Sequence, residues 1–247
     1  MDYKWNWGIL LQPAPEGFSN YLVMLLSGLE WTVITALVSW AIALLLGAAV
    51  GVTSTLQNRF LRQATFAYVE LFRNIPLLVQ MFLWYFVAPD ILPHELGLWV
   101  KQLPNSAFIT TAISLGFYTS ARVAVQVGAG IRALPTGQRM AGLASGLTPA
   151  QVYRYILLPT AFRIILPPLT SEFLNNTKNT SVGLTIGLLE LTARARSMQE
   201  YSFQVFEAFT VATLMYLAVS LSVVLTMRAL ERKVAIPGTI TNRADPH

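Results

Sequence analysis

Apolar residues recur along the chain in runs long enough to cross a bilayer, which takes about 20 predominantly apolar residues as helix. Five such stretches, bounded by charge or by Pro and Gly, can be drawn: Trp31 to Thr53, Ala64 to Ala88, Ala107 to Val127, Pro168 to Leu189 and Phe209 to Met227. The pattern predicts an all-α integral membrane protein with five transmembrane helices. The second stretch carries Glu70, Arg73 and Pro76 in its first half. Its proline predicts a kink, and the spacing of Glu70 and Arg73 predicts an i,i+3 ion pair. Phe18 to Leu29 is apolar but too short to cross alone, so it either lies at the interface or extends the first span. Residues 128–167 form the longest connection. Ala141, Leu143, Ala144, Leu147, Val152, Ile156 and Leu158 recur there at helical spacings, and Thr148-Pro149 supplies a cap and a first-turn proline, so two short helices against the membrane face are expected. No repeat or soluble module interrupts residues 1–247, which read as a single transmembrane domain.

Charge orients the spans. Arg59, Arg62, Arg132, Arg139, Arg154, Arg163, Arg228, Arg232, Lys233 and Arg243 fall on one side, against Lys4, Lys101, Arg194 and Arg196 on the other. The positive-inside rule then predicts an outside N-terminus and an inside C-terminus. Composition agrees with a lipid environment: 54% of residues are apolar and 12% charged, too few polar groups to clothe a water-soluble surface. The net charge of +5 is not gathered into a patch that would suit nucleic acid. Tyr3, Trp5 and Trp7, followed by Pro13 and Pro15, suit an interfacial anchor and not a cleavable signal.

Candidate chemistry is sparse. With no cysteine and only His94 and His247, no metal cage is expected, and no GxxxxGK[ST] loop is present to cradle a nucleotide. The fourth span is the exception. Glu172, Asn175, Asn176 and Asn179 fall at i, i+3, i+4 and i+7 and share one helical face within an arc of about 100°. Such a face is costly in lipid, so it implies a translocation path or a polar helix contact. Lys178 either pairs with a carboxylate of a neighbouring subunit or snorkels to the interface.

One segment is more specific. Met140, Ala141, Gly142, then Gly146, then Ile156, Leu158 and Pro159 follow the spacing E-A-A, three residues, G, nine residues, I-x-L-P. That loop is shared by the permeases of ABC importers. Further stretches extend the resemblance over nearly the whole chain: Tyr68 to Gln80, Leu166-Pro167-Pro168 with Glu172, Lys178 to Ser181, and Glu190-Leu191-Thr192. They resemble the histidine/glutamate/glutamine/arginine group of permeases. Asp2 to Trp7, Asn58 to Leu61, Phe72-Arg73-Asn74 and Leu230 to Val234 are most similar to the glutamate/aspartate permeases within it.

The resemblance implies a type I ABC importer transmembrane domain in the bacterial inner membrane. It implies four kinds of partner beyond the bilayer: a cytoplasmic ATPase dimer that binds ATP and magnesium, a second permease, a periplasmic or tethered solute-binding protein, and a polar amino acid. No cofactor is expected in this chain, and no catalysis. Met140 to Pro159 would form the coupling helix seated in the ATPase. Arg122 stands where permeases for other amino acids tend to carry tyrosine and where glutamate/aspartate permeases resemble this chain. It could meet an acidic substrate, or pair with Glu172 across the bundle. Met140 and Gly142 depart from the usual Glu and Ala, Val125 and Gly128 from a usual Glu and Arg, and Asn179 from a common Asp. An ion-coupled secondary transporter and an intramembrane enzyme are the alternatives from other classes.

Overall fold

The computed structural model describes residues 3–234; Asp2, Arg243 and His247 lie outside them. Helices account for nearly all of the described chain, in the order of a short 3-10 turn (Trp7–Leu11), α1 (Tyr21–Thr53), α2 (Arg59–Asn74), α3 (Leu77–Phe82), α4 (Ala88–Ile91), α5 (His94–Lys101), α6 (Ser106–Arg132), α7 (Thr136–Ala144), α8 (Pro149–Val152), α9 (Leu158–Asn179), α10 (Leu191–Ser202) and α11 (Val205–Val234).

The short apolar stretch 18–29 extends the first span. With Asn20 accepting from the Val23 N–H at 2.9 Å, α1 runs unbroken for 33 residues, about 50 Å at 1.5 Å per residue. The second stretch is not a kinked single helix. Pro76 has no N–H to continue the ladder, and Ile75 takes the extended conformation expected before proline. Helix Arg59–Asn74 and helix Leu77–Ile91 therefore meet at 102°. The buried Gln80 amide fixes the corner, donating to the carbonyls of Phe72 and Ile75 at 2.9 Å each. No Glu70–Arg73 pair forms: Glu70 instead accepts from the Asn74 amide at 2.7 Å.

The fourth stretch starts ten residues earlier than the prolines suggest. Pro167 and Pro168 lie inside α9, and the helix carries through them and then tightens into a 3-10 segment (Thr180–Ile186) closed by Gly187 at φ +91°. Among the described residues only α1, α6 and α11 are long and apolar enough on their own to cross a membrane, and the bent Arg59–Ile91 pair meets the same requirement when its two helices are taken together. The polar stripe keeps α9 out of that set. The connection expected at 128–167 is shorter, because α6 continues to Arg132 and α9 begins at Leu158.

Packing explains the arrangement. Between helices in lipid the hydrophobic effect gives little, and close backbone approach through small residues does more. Gly47 and Gly51 on α1 face α6 so closely that a Cβ would meet Ser120 O and Val123 Cβ, or Ala124 O and Val127 Cβ, within 2.8 Å. One apolar core runs from Trp40 and Phe173, stacked 4.9 Å apart, through Val123, Val127 and Ile165 to Val152 and Leu157. A second gathers Tyr21, Met24, Leu25, Leu191, Met198 and Ala208. Beside it the N-terminal segment is clamped to α11: buried Glu207 accepts from the Tyr3 hydroxyl and from the Asn6 N–H at 2.6 Å.

Candidate functional site

The polar face of α9 meets α6 at a cavity of about 230 Å³ that Arg122, Glu172, Asn175, Asn176 and Asn179 line together with Tyr118 and Lys178. Its chemistry is incomplete in two places. Arg122 donates through Nη2 to the Tyr118 hydroxyl at 2.8 Å and lies 5.0 Å over the same ring, yet its Nε is buried without a partner. Glu172 Oε2 is likewise buried and unpartnered. Arg122 and Glu172 do not form an ion pair, because the three pairs among the described residues are Lys101–Asp90, Arg194–Glu16 and Arg196–Glu200. Arg73, in the last turn of α2, joins Arg122 within electrostatic reach of the Glu172 carboxylate. An orphan donor and an orphan acceptor at one cavity are costly unless something completes them.

The four stripe residues divide by role. Asn176 is 1% exposed and its amide is spent on helix contacts: Nδ2 donates to Ala36 O and Ser39 Oγ at 2.9 Å, and Oδ1 accepts from Thr119 Oγ1 at 3.1 Å. It closes the cavity floor and pins α9 to α1 and α6, which is the helix-contact alternative for that residue. Asn175 is exposed.

The loop with the spaced small residues is built tightly. Helix α7 ends in a Schellman turn: Leu147 N–H bonds Gly142 O at 3.2 Å and Gly146 N–H bonds Leu143 O at 3.0 Å. Gly146 sits at φ +83°, with open space around it, so backbone conformation and not crowding requires glycine there. At Gly142 the reverse holds, since a Cβ would lie 2.7 Å from Ile156 Cδ1 and 3.0 Å from Val152 Cγ2. Thr148 and Gln151 form a reciprocal capping box on α8. A π turn (Tyr153–Leu157) then leads into α9, with Leu158 and Pro159 in its first turn. Met140 stays 65% exposed on the outer face of α7, and Ala141 follows it.

Residues 43–236 match the family model described as "Binding-protein-dependent transport system inner membrane component". The chain belongs to this family of inner-membrane transport components. It is 46% identical over 243 residues, covering 97% of this chain and 99% of the relative, to the glutamate/aspartate import permease protein GltJ of Escherichia coli. It is 32% identical over 219 residues, 89% and 95% of the two chains, to the probable glutamine ABC transporter permease protein GlnM of Bacillus subtilis. Among solved structures, an amino acid ABC transporter crystallised with histidines superposes with a TM-score of 0.73 at 28% identity, covering 86% of this chain and 95% of that one. The inward-facing MetNI methionine transporter shares the fold at a TM-score of 0.73 and 18% identity, covering 87% and 98%. Neither ion-coupled transport nor intramembrane enzymology finds support in these matches.

Several contacts made by this permease were not anticipated from the sequence. Tyr118 sits one helical turn before Arg122, a spacing that could have marked it as a partner. Gln80 and Tyr153 act across long or bent connections that no local pattern reveals.

Proposed function

We propose that the permease forms, with a second permease subunit, the inner-membrane pathway of a bacterial ATP-driven importer for a polar amino acid, and that the amino acid is acidic, glutamate or aspartate. The carrying observation is the cavity that brings Arg122, Lys178 and the nearby Arg73 around Glu172 and the amides of Asn175 and Asn179. Cations outnumber the one carboxylate there, which suits an anionic solute. A planar guanidinium with free N–H groups can take a carboxylate in two hydrogen bonds. At about 230 Å³ the space fits a small solute and is below the roughly 300–1,000 Å³ of pockets for drug-sized ligands. The likeness to a glutamate/aspartate import permease supports the same substrate class.

In this reading the bent second segment and α9 each count as one crossing, which gives five spans with the N-terminus outside and the C-terminus in the cytoplasm. Residues from Met140, Ala141, Gly142 and Gly146 to Ile156, Leu158 and Pro159 form the coupling helix on a cytoplasmic ATPase dimer. That dimer binds ATP and magnesium. A periplasmic or tethered solute-binding protein delivers substrate. Closure of the ATPases on ATP moves the coupling helices and turns the cavity outward to receive the amino acid.

The test is uptake in cells expressing the chain with its partner subunits. Labelled glutamate import should be competed by aspartate and not by histidine or arginine, and cysteine placed at Asn175 should react with a small polar thiol reagent and be protected by glutamate. Equal competition by neutral or basic amino acids would overturn the substrate class. A tagged chain that brings down no ATPase, with uptake following an ion gradient, would overturn the importer.

A further inference from the structure

The segment after Gly146 has two routes to the cavity. One is the chain itself, through the π turn into α9, which carries Glu172 and Asn175. The other is a side chain. The Tyr153 hydroxyl lies 3.1 Å from Thr55 Oγ1 and donates to the Thr55 carbonyl at 3.2 Å, a contact spanning 98 residues of sequence. Thr55 belongs to the turn between α1 and α2, and the same turn is held from α6, where Arg132 Nη1 reaches Ser54 Oγ at 3.5 Å. Beneath it Val52, Leu147, Tyr153 and Ile156 pack on one apolar core.

What hangs from that turn is α2. Helix α2 leaves it at Arg59, bonds α6 through Tyr68 and Ser120 at 2.6 Å, and carries in its last turn Arg73, whose charge reaches Glu172 at the cavity. A π turn inside a helix is uncommon and recurs at functional positions; here it falls between the loop and α9, on the residue that makes the clasp.

We propose that Tyr153 is a positioning residue that clasps the α1–α2 turn to the coupling segment, so that one ATP-driven displacement moves α9 and α2 together. This rests on the coupling reading of residues 140–159. Without the hydroxyl the chain connection still drives α9, while α2 and Arg73 are left behind and the cavity is not reshaped as a unit.

The experiment uses the whole complex, with its ATPase, second permease and binding protein, in nanodiscs and in proteoliposomes. The chain has no cysteine, so spin labels at Gln57→Cys and Gln138→Cys report the distance between the α1–α2 turn and α7 without background from this chain. With Tyr153 present, that distance should be the same in nucleotide-free and vanadate-trapped states. In Tyr153→Phe, which keeps the ring and its packing, it should shift or broaden on trapping. Uptake of labelled glutamate per ATP hydrolysed should then fall by about fivefold, the scale of one neutral hydrogen bond. Thr55→Val, which leaves the carbonyl acceptor in place, should show a smaller fall. A turn that moves relative to α7 even with Tyr153 intact, or a Tyr153→Phe complex unchanged in both readouts, overturns the clasp while leaving the importer standing. If the unsubstituted chain recovers no ATPase, the coupling reading fails and takes the clasp with it.

Discussion

Replacing Arg122 by glutamine removes one positive charge and the planar fork while keeping a polar amide at about the depth of the buried Nε. In the present geometry one of the five guanidinium N–H groups is engaged, through Nη2 to Tyr118 at 2.8 Å, and the buried Nε has no partner. If a substrate carboxylate completes that donor set, the loss is that of a charged hydrogen bond, about 1.5–3 kcal/mol. That corresponds to a fall of about 10- to 150-fold in the apparent affinity for the acid. Glutamine, isosteric with glutamate but neutral, is the internal control, because its uptake should change far less and the preference for the acid should collapse. Arg122→Lys keeps the charge but not the fork and should fall between the two. The assay is competition for labelled glutamate uptake in proteoliposomes, with ATP turnover measured in parallel. An Arg122→Gln complex that hydrolyses ATP as before and imports glutamate at full rate would refute the reasoning, and Arg122 would then be a structural partner of Tyr118.

Much of this molecule was legible because membrane insertion imposes strong local rules. Long apolar runs mark α1, α6 and α11 at once, since lipid-facing helices cannot afford scattered charge. The loop around Gly142 and Gly146 was legible for a different reason, that a Schellman turn and a close helix contact each leave a glycine at a fixed spacing. The misreadings also have physical causes. Pro76 was expected to kink a helix, but a kink needs the freed carbonyls to be satisfied nearby, and here Gln80 takes those of Phe72 and Ile75 in a sharp corner. Pro167 and Pro168 suggested a helix start, yet packing of Ala161, Ile165 and Leu169 in the core holds α9 through them. Helical spacing placed four polar residues on one face of α9, but spacing alone does not say which meet water. Asn176 differs from Asn175 only by the rotation that turns it toward Ser39 and Thr119.

Three substitutions test other parts of the account. Gly146→Trp forces a bulky L-residue into the left-handed region at the end of α7; the protein should insert normally while ATPase copurification and uptake are lost, and an unchanged complex would remove the coupling role. Asn176→Ala leaves Ala36 O, Ser39 and Thr119 short of partners and should lower stability in detergent by about 1 kcal/mol, the scale of polar contacts between membrane helices; a melting curve unchanged from the parent would contradict the floor role. The last concerns the N-terminal clamp, where Glu207 is fully buried and accepts from both the Tyr3 hydroxyl and the Asn6 N–H. Glu207→Ala removes both carboxylate acceptors and leaves the segment attached by the Tyr3 hydroxyl, which donates to Gln204 Oε1 at 2.8 Å, and by aromatic contacts, Tyr3 and Trp5 on Phe206 at 4.7 and 5.7 Å between centroids. A charged hydrogen bond contributes about 1.5–3 kcal/mol, and a chain end held by few contacts opens locally long before the core does. Trypsin should therefore cut after the exposed Lys4 at least about tenfold faster, the factor for 1.4 kcal/mol, while the melting temperature of the whole domain barely moves. Cleavage at the parent rate would show that the aromatic contacts and the Tyr3–Gln204 bond hold the segment and that the buried carboxylate serves α11 alone.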